Sequence, residues 1–150
     1  MKIRTLAQLD MHLDGLSGWR KKELTSLLFG IGAATGEHQR MLLRAAVTLL
    51  YAHWEGFVKD AAVAYVQLAA SQRLALRDLA DSFLALAVRR QVRAAGQTGR
   101  VSSHIELVQL FMTRLGERAE IPWRHSINTG LNLRGRVFRE IVLTVGLDFS

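Results

Sequence analysis

Cysteine is absent from this chain of 150 residues. Without thiols the protein can form neither a disulfide framework nor a thiolate metal site. The five histidines are scattered, and no two of them have the H-x-x-x-H spacing of a helical zinc pair. These absences argue against a structural metal, and we expect no cofactor. A chain of this length can bury about 70% of its unfolded surface without disulfides or a structural metal, so we expect one domain over residues 1–150.

Long uncharged apolar runs are also missing. The N-terminal stretch "MKIRTLAQLD" turns polar and acidic before an apolar run of signal-peptide length can form. No stretch of about 18 uncharged apolar residues, the minimum for a helix that spans a membrane, occurs anywhere in the chain. We therefore expect a cytoplasmic protein with no membrane partner.

Lysine is scarce although the chain is basic. The formal net charge is +7 at pH 7, and lysine occurs four times against sixteen arginines. A guanidinium group favours planar, bidentate partners such as phosphates and carboxylates. Nucleic acid is the first partner that this balance suggests, although a basic surface can equally attract an acidic protein or keep the molecule soluble.

Proline occurs once, at position 122, and apolar residues recur at helical spacing along almost the whole chain. No segment shows the sustained alternation of apolar and polar residues that is typical of a strand. The pattern predicts an all-α fold of about five to six helices built around one long central helix. The helices are expected over 4–14, from a break at Ser17 and Gly18 to about 30–36, over 37–70, over 76–93, in a segment that ends at Gly116, and from Asn132 as cap to Gly146.

Two connections divide the second half of the chain. "AAGQTGR", residues 94–100, is small, polar and glycine-containing, which predicts a loop. Ser103 and Glu106 have the spacing of a capping box at the start of the following helix. "ERAEIPWRHSINTGLN", residues 117–132, has no apolar period, so it is predicted to be a connection of a length that is usually functional or disordered.

The central helix, projected at 100° per residue, has one broad apolar face and a polar stripe on the other side. His53 falls on the apolar face, where a hydrogen-bonded core histidine is the commoner role. Arg44, Glu55 and Lys59 fall on the polar stripe, and the last two have the spacing of an i,i+4 ion pair. Such a pair contributes roughly 0.2–0.5 kcal/mol on a solvated surface. Spacing alone does not make these residues an active site.

Two segments resemble a known family. "RAAVTLLYAHWEGFVKDAAVAYVQLAA", residues 44–70, resembles the signature helix of the MAE-like branch of the HEPN superfamily, whose most recognisable feature is a string of the type "LLYAHWEGFVK". "INTGLNLRGRVFREIVLTVGLD", residues 127–148, is similar to the closing segment of that branch, where an Asn-Leu-Asn-like turn leads into a short final helix. The two segments and the helical spacing between them cover most of the chain. The resemblance implies a HEPN-like helical bundle.

The resemblance also implies a function. Many relatives are dimeric, metal-independent RNA-cutting enzymes of toxin–antitoxin, abortive-infection and other defence systems. Their working motif is an arginine and, about four to six residues later, a histidine at the start of the final helix, presented from both subunits into one basic cleft. The histidine can take the proton of the 2′-hydroxyl and the arginine can bind the phosphorane charge, so that no metal is required.

This sequence departs from that motif. Arg118 and His125 have six residues between them, but Pro122 is one of these and the segment is predicted to be a loop. The last predicted helix carries arginines and no histidine. The resemblance therefore implies either a site that has moved to the central helix or a domain that binds without cutting.

We predict a cytoplasmic homodimer that acts as a metal-independent endoribonuclease of a microbial defence or toxin–antitoxin module. Its partners would be RNA and a cognate antitoxin or another neighbouring-gene protein. The alternative is a catalytically silent module that binds RNA, a nucleotide or a protein, and a purely structural bundle would leave the candidate residues unclustered. The catalytic candidates are Glu55, Lys59, His53 and His125, and the RNA-binding candidates are Arg44, Asn132 and Arg134.

Overall fold

The computed structural model describes residues 2–128 and 132–148. These residues form helices and no strand, which confirms the predicted all-α class. Two short 3-10 helices, Leu76–Asp78 and Trp123–His125, interrupt the connections between the longer elements. The α-helices are α1 (Leu6–Ala33), α2 (Gly36–Ser71), α3 (Asp81–Gly96), α4 (Val101–Thr113) and α5 (Gly135–Thr144).

The helix α2 is the long central element that the sequence predicts over 37–70. The helix α1 packs along it as the first arm of a helical hairpin, and the 3-10 helix Trp123–His125 also contacts it. Val66, near the C-terminal end of α2, is completely buried. Because α2 has neighbours on more than one side, its apolar positions are spread around more than one face.

The predicted break at Ser17 and Gly18 is wrong, because α1 runs without interruption through both residues. The hydroxyl group of Ser17 donates to the carbonyl oxygen of Asp14 at 3.2 Å, so its hydrogen bond is made inside the helix. A glycine within a helix costs only about 1 kcal/mol relative to alanine. Packing along α2 outweighs that cost, and one long helix replaces the two short ones that were predicted.

The helix predicted over 76–93 begins later, at Asp81, and continues to Gly96, so that the loop predicted over 94–100 is reduced to residues 97–100. The reason is a set of hydrogen bonds with the connection after α4. The amide of Leu76 donates to the carbonyl oxygen of Glu117 at 3.0 Å, and the amide of Arg77 donates to that of Leu115 at 2.9 Å. These partners lie about forty residues away along the chain, and a local pattern does not reveal them.

The predicted capping box is wrong, because α4 begins two residues before Ser103 and has Arg100 in the cap position with no side-chain hydrogen bond. The hydroxyl group of Thr98 instead accepts a hydrogen bond from the amide of Arg100 at 3.2 Å, just before the helix begins. The helix ends at Thr113, before the predicted Gly116. Ser103 thus lies within the first turn of α4.

The last helix begins at Gly135, and its cap position is held by Arg134, not by the predicted Asn132. The side chain of Asn132 is used elsewhere, in a contact with α2. Residues 129–131, which precede Asn132 in the segment that resembles the closing part of the family, lie outside the described residues. Gly146 ends the helix as predicted, with a left-handed φ of 77° that favours glycine.

The main core lies where α2, α3 and α5 meet the connection between α4 and α5. A smaller cluster joins Ile3 and Leu9, at the start of the chain, to the C-terminal half of α2. Within the described ranges, no helix is both long and apolar enough to cross a bilayer. The buried members of the main core are Ala62, Val66, Leu86, Ile121, Ile127, Leu133, Ile141 and Val145.

Candidate functional site

The side chain of Tyr51, in the middle of α2, holds the start of the last helix. Its hydroxyl group donates to Oδ1 of Asn132 and accepts the amide of Leu133 at 2.6 Å. These partners follow Tyr51 by 81 and 82 residues. Leu133 is buried in the main core, so the segment before α5 is held by apolar packing as well as by the tyrosine.

Aromatic rings extend this contact along α2 and α5. The ring centroids of Tyr51 and Trp54 lie 5.9 Å apart, and those of Trp54 and Phe138 lie 5.8 Å apart. Both pairs are tilted, which is a favourable arrangement for aromatic quadrupoles. Phe138, in the first turn of α5, therefore contacts the middle of α2 through Trp54.

The N-terminus of α5 is an electropositive end of the site. The first intrahelical bond runs from the amide of Phe138 to the carbonyl oxygen of Arg134 at 2.9 Å, so the amides of residues 135–137 have no acceptor within the helix. Arg134 and Arg136 are exposed beside them, and the first turn contains no acidic residue. Free amides, the helix dipole and two guanidinium groups together favour an anion.

Glu55 and Lys59 follow Tyr51 by one and two helical turns on the same side of α2. Glu55 is half-buried and Lys59 is exposed. In the part of the chain that the structure describes, neither residue forms an ion pair, so the i,i+4 pair is not made. The structure leaves a half-buried carboxylate one turn away from the tyrosine that holds α5.

His53 lies on the other side of α2, because two residues correspond to about 200° of helical rotation. It is buried, as the apolar pattern predicts, and faces α1. Its Nε2 atom lies 3.1 Å from a carboxylate oxygen of Glu23, outside hydrogen-bonding alignment, and its ring meets that of Trp19 edge to face. The structure therefore does not bring His53 together with Asn132 and Arg134.

A second contact between α1 and α2 accounts for more of the string "AHWEGFVKD". The buried guanidinium group of Arg20 donates to a carboxylate oxygen of Asp60 at 3.0 Å and lies over the ring of Trp19 at 4.5 Å. A Cβ atom on Gly56 would lie 3.0 Å from Nη2 of Arg20, so glycine leaves room for this side chain. His53, Gly56 and Asp60 thus join the two long helices.

The remaining candidates lie further from Tyr51. Arg44 is exposed about two turns before it on α2. His125 is exposed in the 3-10 helix Trp123–His125, and no hydrogen bond between described residues joins its ring to Asn132 or Arg134. Arg118 lies on an extended segment that forms an isolated bridge with Ala75. The Arg118 and His125 pair is therefore not presented from one helix.

Sequence reasoning did not select Tyr51 as a site residue. The sequence places it on the polar stripe of the central helix, but its partners are so distant along the chain that no spacing rule connects them. Among the described residues, no group of three or more histidine, aspartate or glutamate side chains is arranged to hold a metal ion. The site offers hydrogen-bond donors, guanidinium groups and one nearby carboxylate.

Comparison with known proteins gives one family. The family model described as RiboL-PSP-HEPN matches residues 17–150, from the middle of α1 beyond the end of α5. No curated protein gives a significant match, and no solved structure does. The matched region contains both segments that Tyr51 joins.

Proposed function

Because the chain belongs to the RiboL-PSP-HEPN family, and so to the HEPN superfamily, we propose that it is a metal-independent endoribonuclease of a microbial defence or toxin–antitoxin module. Its place in the MAE-like branch remains a prediction from the string "LLYAHWEGFVK". The observation that carries the proposal is the joint formed by Tyr51 with Asn132 and Leu133. These hydrogen bonds hold the electropositive N-terminus of α5, where an RNA phosphate would bind, against α2. The helix α2 carries the half-buried carboxylate of Glu55.

In the proposed reaction the 2′-oxygen of a nucleotide attacks the adjacent phosphorus atom, and the bond to the 5′-oxygen of the next nucleotide breaks. The products are a 2′,3′-cyclic phosphate and a 5′-hydroxyl. Glu55 takes the proton of the 2′-hydroxyl, and the departing 5′-oxygen takes a proton from water. Arg134 and the free amides of α5 bind the charge that develops on the phosphorane, and Lys59 adds a further positive charge. We assign His53 a structural role between α1 and α2.

A second copy of the chain is part of the proposal, because apolar side chains are exposed beside the site. Leu43, Val47, Leu50 and Trp54 follow one another at intervals of four, three and four residues, and therefore form one stripe along α2. Exposed apolar stripes of this kind mark interaction surfaces. A homodimer through this stripe would bring two copies of the α5 end together, and an antitoxin or other neighbouring-gene protein could compete for the same surface.

The test is cleavage of total RNA by the purified protein in excess EDTA. We expect cleavage to persist, and Glu55→Gln and Arg134→Gln each to lower its rate by about 100-fold or more, since one general base or one charge-stabilising donor is typically worth that much. His125→Gln tests the remaining catalytic candidate, and because His125 lies in a 3-10 helix that is separate from α5, we expect the rate to be unchanged. Glu106→Gln and Arg100→Gln make the same changes on exposed positions of α4 and its cap, and should leave the rate unchanged.

Circular dichroism would establish that each variant is folded. Cleavage that is lost in EDTA, or that survives in folded Glu55→Gln, would contradict the proposed chemistry. A second function is favoured by one specific observation, the absence of histidine from α5. In that case the chain is a non-cutting RNA-binding module, and every preparation would bind RNA in a salt-dependent way without cleaving it.

A further inference from the structure

A basic groove lies at the other end of α2, away from Tyr51. Its volume is about 830 Å³, and its walls come from the N-terminal segment, the end of α2 and the connection after α4. One carboxylate, that of Glu120, lies among its lining side chains. Five cationic side chains line it, those of Lys2, Arg4, Arg73, Arg118 and Arg124.

The N-terminal wall is held in place by packing and by a hydrogen bond. Ile3 is buried against Ala64 and Leu68 of α2, so the side chains on either side of it point away from that cluster. The side-chain amide of Gln72 donates to the carbonyl oxygen of Arg4 at 3.2 Å. Lys2 and Arg4 are therefore placed beside the end of α2 by the folded structure.

The opposite wall is an extended segment that pairs with the chain after α2. The amide of Ala119 donates to the carbonyl oxygen of Leu74 at 2.9 Å, next to the isolated bridge between Ala75 and Arg118. Ala119 and Ile121 are buried, while Arg118 is exposed. This alternation turns Arg118 out of the core and into the groove.

Arg73 lies between these walls with an unusual backbone. Its φ is 59°, and it is the one residue other than glycine with a positive φ among residues 2–128 and 132–148. The position follows the cap of α2, where glycine is the usual residue because it alone adopts this conformation without strain. From this position the exposed side chain of Arg73 lines the groove.

The positive charges of the groove outnumber the one carboxylate, that of Glu120, that lies among its lining side chains. None of the five cationic side chains forms an ion pair within the described chain. Glu117, the nearest carboxylate along the chain to Arg118, is held by Arg114 through hydrogen bonds of 2.9 and 2.7 Å. That hydrogen bonding is the main reason why the pKa of Glu117 is lowered, so it stays charged and paired with Arg114. The groove therefore retains an excess of positive charge that an anionic ligand would neutralise.

We infer that this groove binds the phosphodiester backbone of single-stranded RNA. Cations from three separate segments suit a chain of phosphates better than one phosphate group. The half-buried ring of Trp123 lies in the wall under the guanidinium group of Arg124, at 4.9 Å, and this contact holds the charge of Arg124 at the groove. The inference rests on the proposed function only for the choice of RNA. The groove lies sixteen residues, or about 24 Å, along α2 from Tyr51 to Gln67, so one strand would need several nucleotides to reach both sites.

The experiment measures binding of a fluorescent 12-nucleotide oligouridylate with 2′-O-methyl groups, which cannot be cleaved because the attacking hydroxyl is blocked. The logarithm of the association constant is plotted against the logarithm of the salt concentration. Each phosphate contact with a single strand contributes about 0.7 to the slope. Arg73→Gln with Arg118→Gln should therefore reduce the slope by about 1.4 and weaken binding at low salt.

The matched control is Lys22→Gln with Arg100→Gln, which removes the same charge from exposed positions outside the groove. Its slope should equal that of the wild type. If the first variant does not fold, Arg73→Gly with Arg124→Gln replaces it, because glycine suits the backbone of residue 73. An unchanged slope in a folded groove variant would overturn the inference, as would inorganic phosphate binding as tightly as the oligonucleotide.

Cleavage does not enter this measurement, so the two proposals can fail separately. If the wild-type protein does not cleave RNA but the salt slope falls in the groove variant, the RNA-binding groove is supported and the nuclease proposal is contradicted. Loss of cleavage in Arg134→Gln with a salt slope that falls by no more than about 0.7, the share of one phosphate contact, supports a groove that is separate from the catalytic end of α5.

Discussion

At the scale of single residues, the hydroxyl group of Tyr51 has the clearest effect to measure. It is the atom that bonds both Asn132 and Leu133, and both bonds are lost in Tyr51→Phe. We expect the free energy of unfolding to fall by about 2 kcal/mol, since two hydrogen bonds are lost and each typically contributes about 1 kcal/mol. Under the proposed function, RNA cleavage should fall as well, because the start of α5 is no longer held. Urea denaturation and the cleavage rate measure the two effects.

Tyr65 provides the matched control for this substitution. It lies on the same helix and is 38% exposed, as is Tyr51, and its hydroxyl group makes no hydrogen bond within residues 2–128 and 132–148. Tyr65→Phe should therefore change the free energy of unfolding by no more than about 0.5 kcal/mol and leave the rate of RNA cleavage unchanged. Equal effects of the two substitutions would show that the contact with Asn132 and Leu133 has no special role.

At the scale of helices, α1 offers a test of why the predicted break is wrong. A Cβ atom added at Gly15 or at Gly18 would have no atom within 4 Å other than those of the adjacent residues and of the backbone of α1 itself. Alanine also limits the unfolded chain more than glycine does. Gly15→Ala with Gly18→Ala should therefore raise the free energy of unfolding by about 1–2 kcal/mol, measured by urea denaturation.

Gly36 is the contrasting position, because its φ of 58° strains any residue with a Cβ atom. The Cβ atom of Gly36→Ala would also have no neighbour within 4 Å, yet the substitution should lower the free energy of unfolding by about 1 kcal/mol.

A loss of stability in Gly15→Ala with Gly18→Ala would mean that these two glycines are needed in α1, for a bend or for a partner that approaches closely.

At the scale of the whole molecule, the exposed apolar stripe of α2 predicts a dimer. Val47 is 70% exposed, so a charge there does not disturb the folded single chain. We expect Val47→Glu to convert a dimer into a monomer, because it places a carboxylate in an apolar interface. Light scattering after size-exclusion chromatography gives the mass, and circular dichroism gives the helix content, which should be unchanged.

Val101, at the start of α4, is 68% exposed and undergoes the same chemical change in the control Val101→Glu. That variant should keep the mass of the wild type. A wild-type protein that is monomeric at the concentration used for cleavage would contradict the homodimer, and loss of the dimer in Val101→Glu alone would move the interface to α4.

The sequence by itself determined the elements whose signals are local. The long helix α2 follows from apolar residues at helical spacing, the end of α5 follows from Gly146, and the burial of His53 follows from its place on the apolar face. A helix is built from hydrogen bonds four residues apart, so its pattern is written within a few turns of the chain. The resemblance to the HEPN superfamily also came from strings of neighbouring residues.

Only the tertiary structure decided which distant residues meet. The contacts of Tyr51 with Asn132 and of Arg20 with Asp60, and the pairing of residues 74–77 with 115–119, join positions about 40 to 80 residues apart. The same is true of the basic groove, to which three separate segments contribute. Such contacts depend on the path of the whole chain and on competition between local hydrogen bonds and packing. Tertiary hydrogen bonds therefore made one predicted helix begin later, at Asp81, while packing along α2 kept another helix continuous through its glycines.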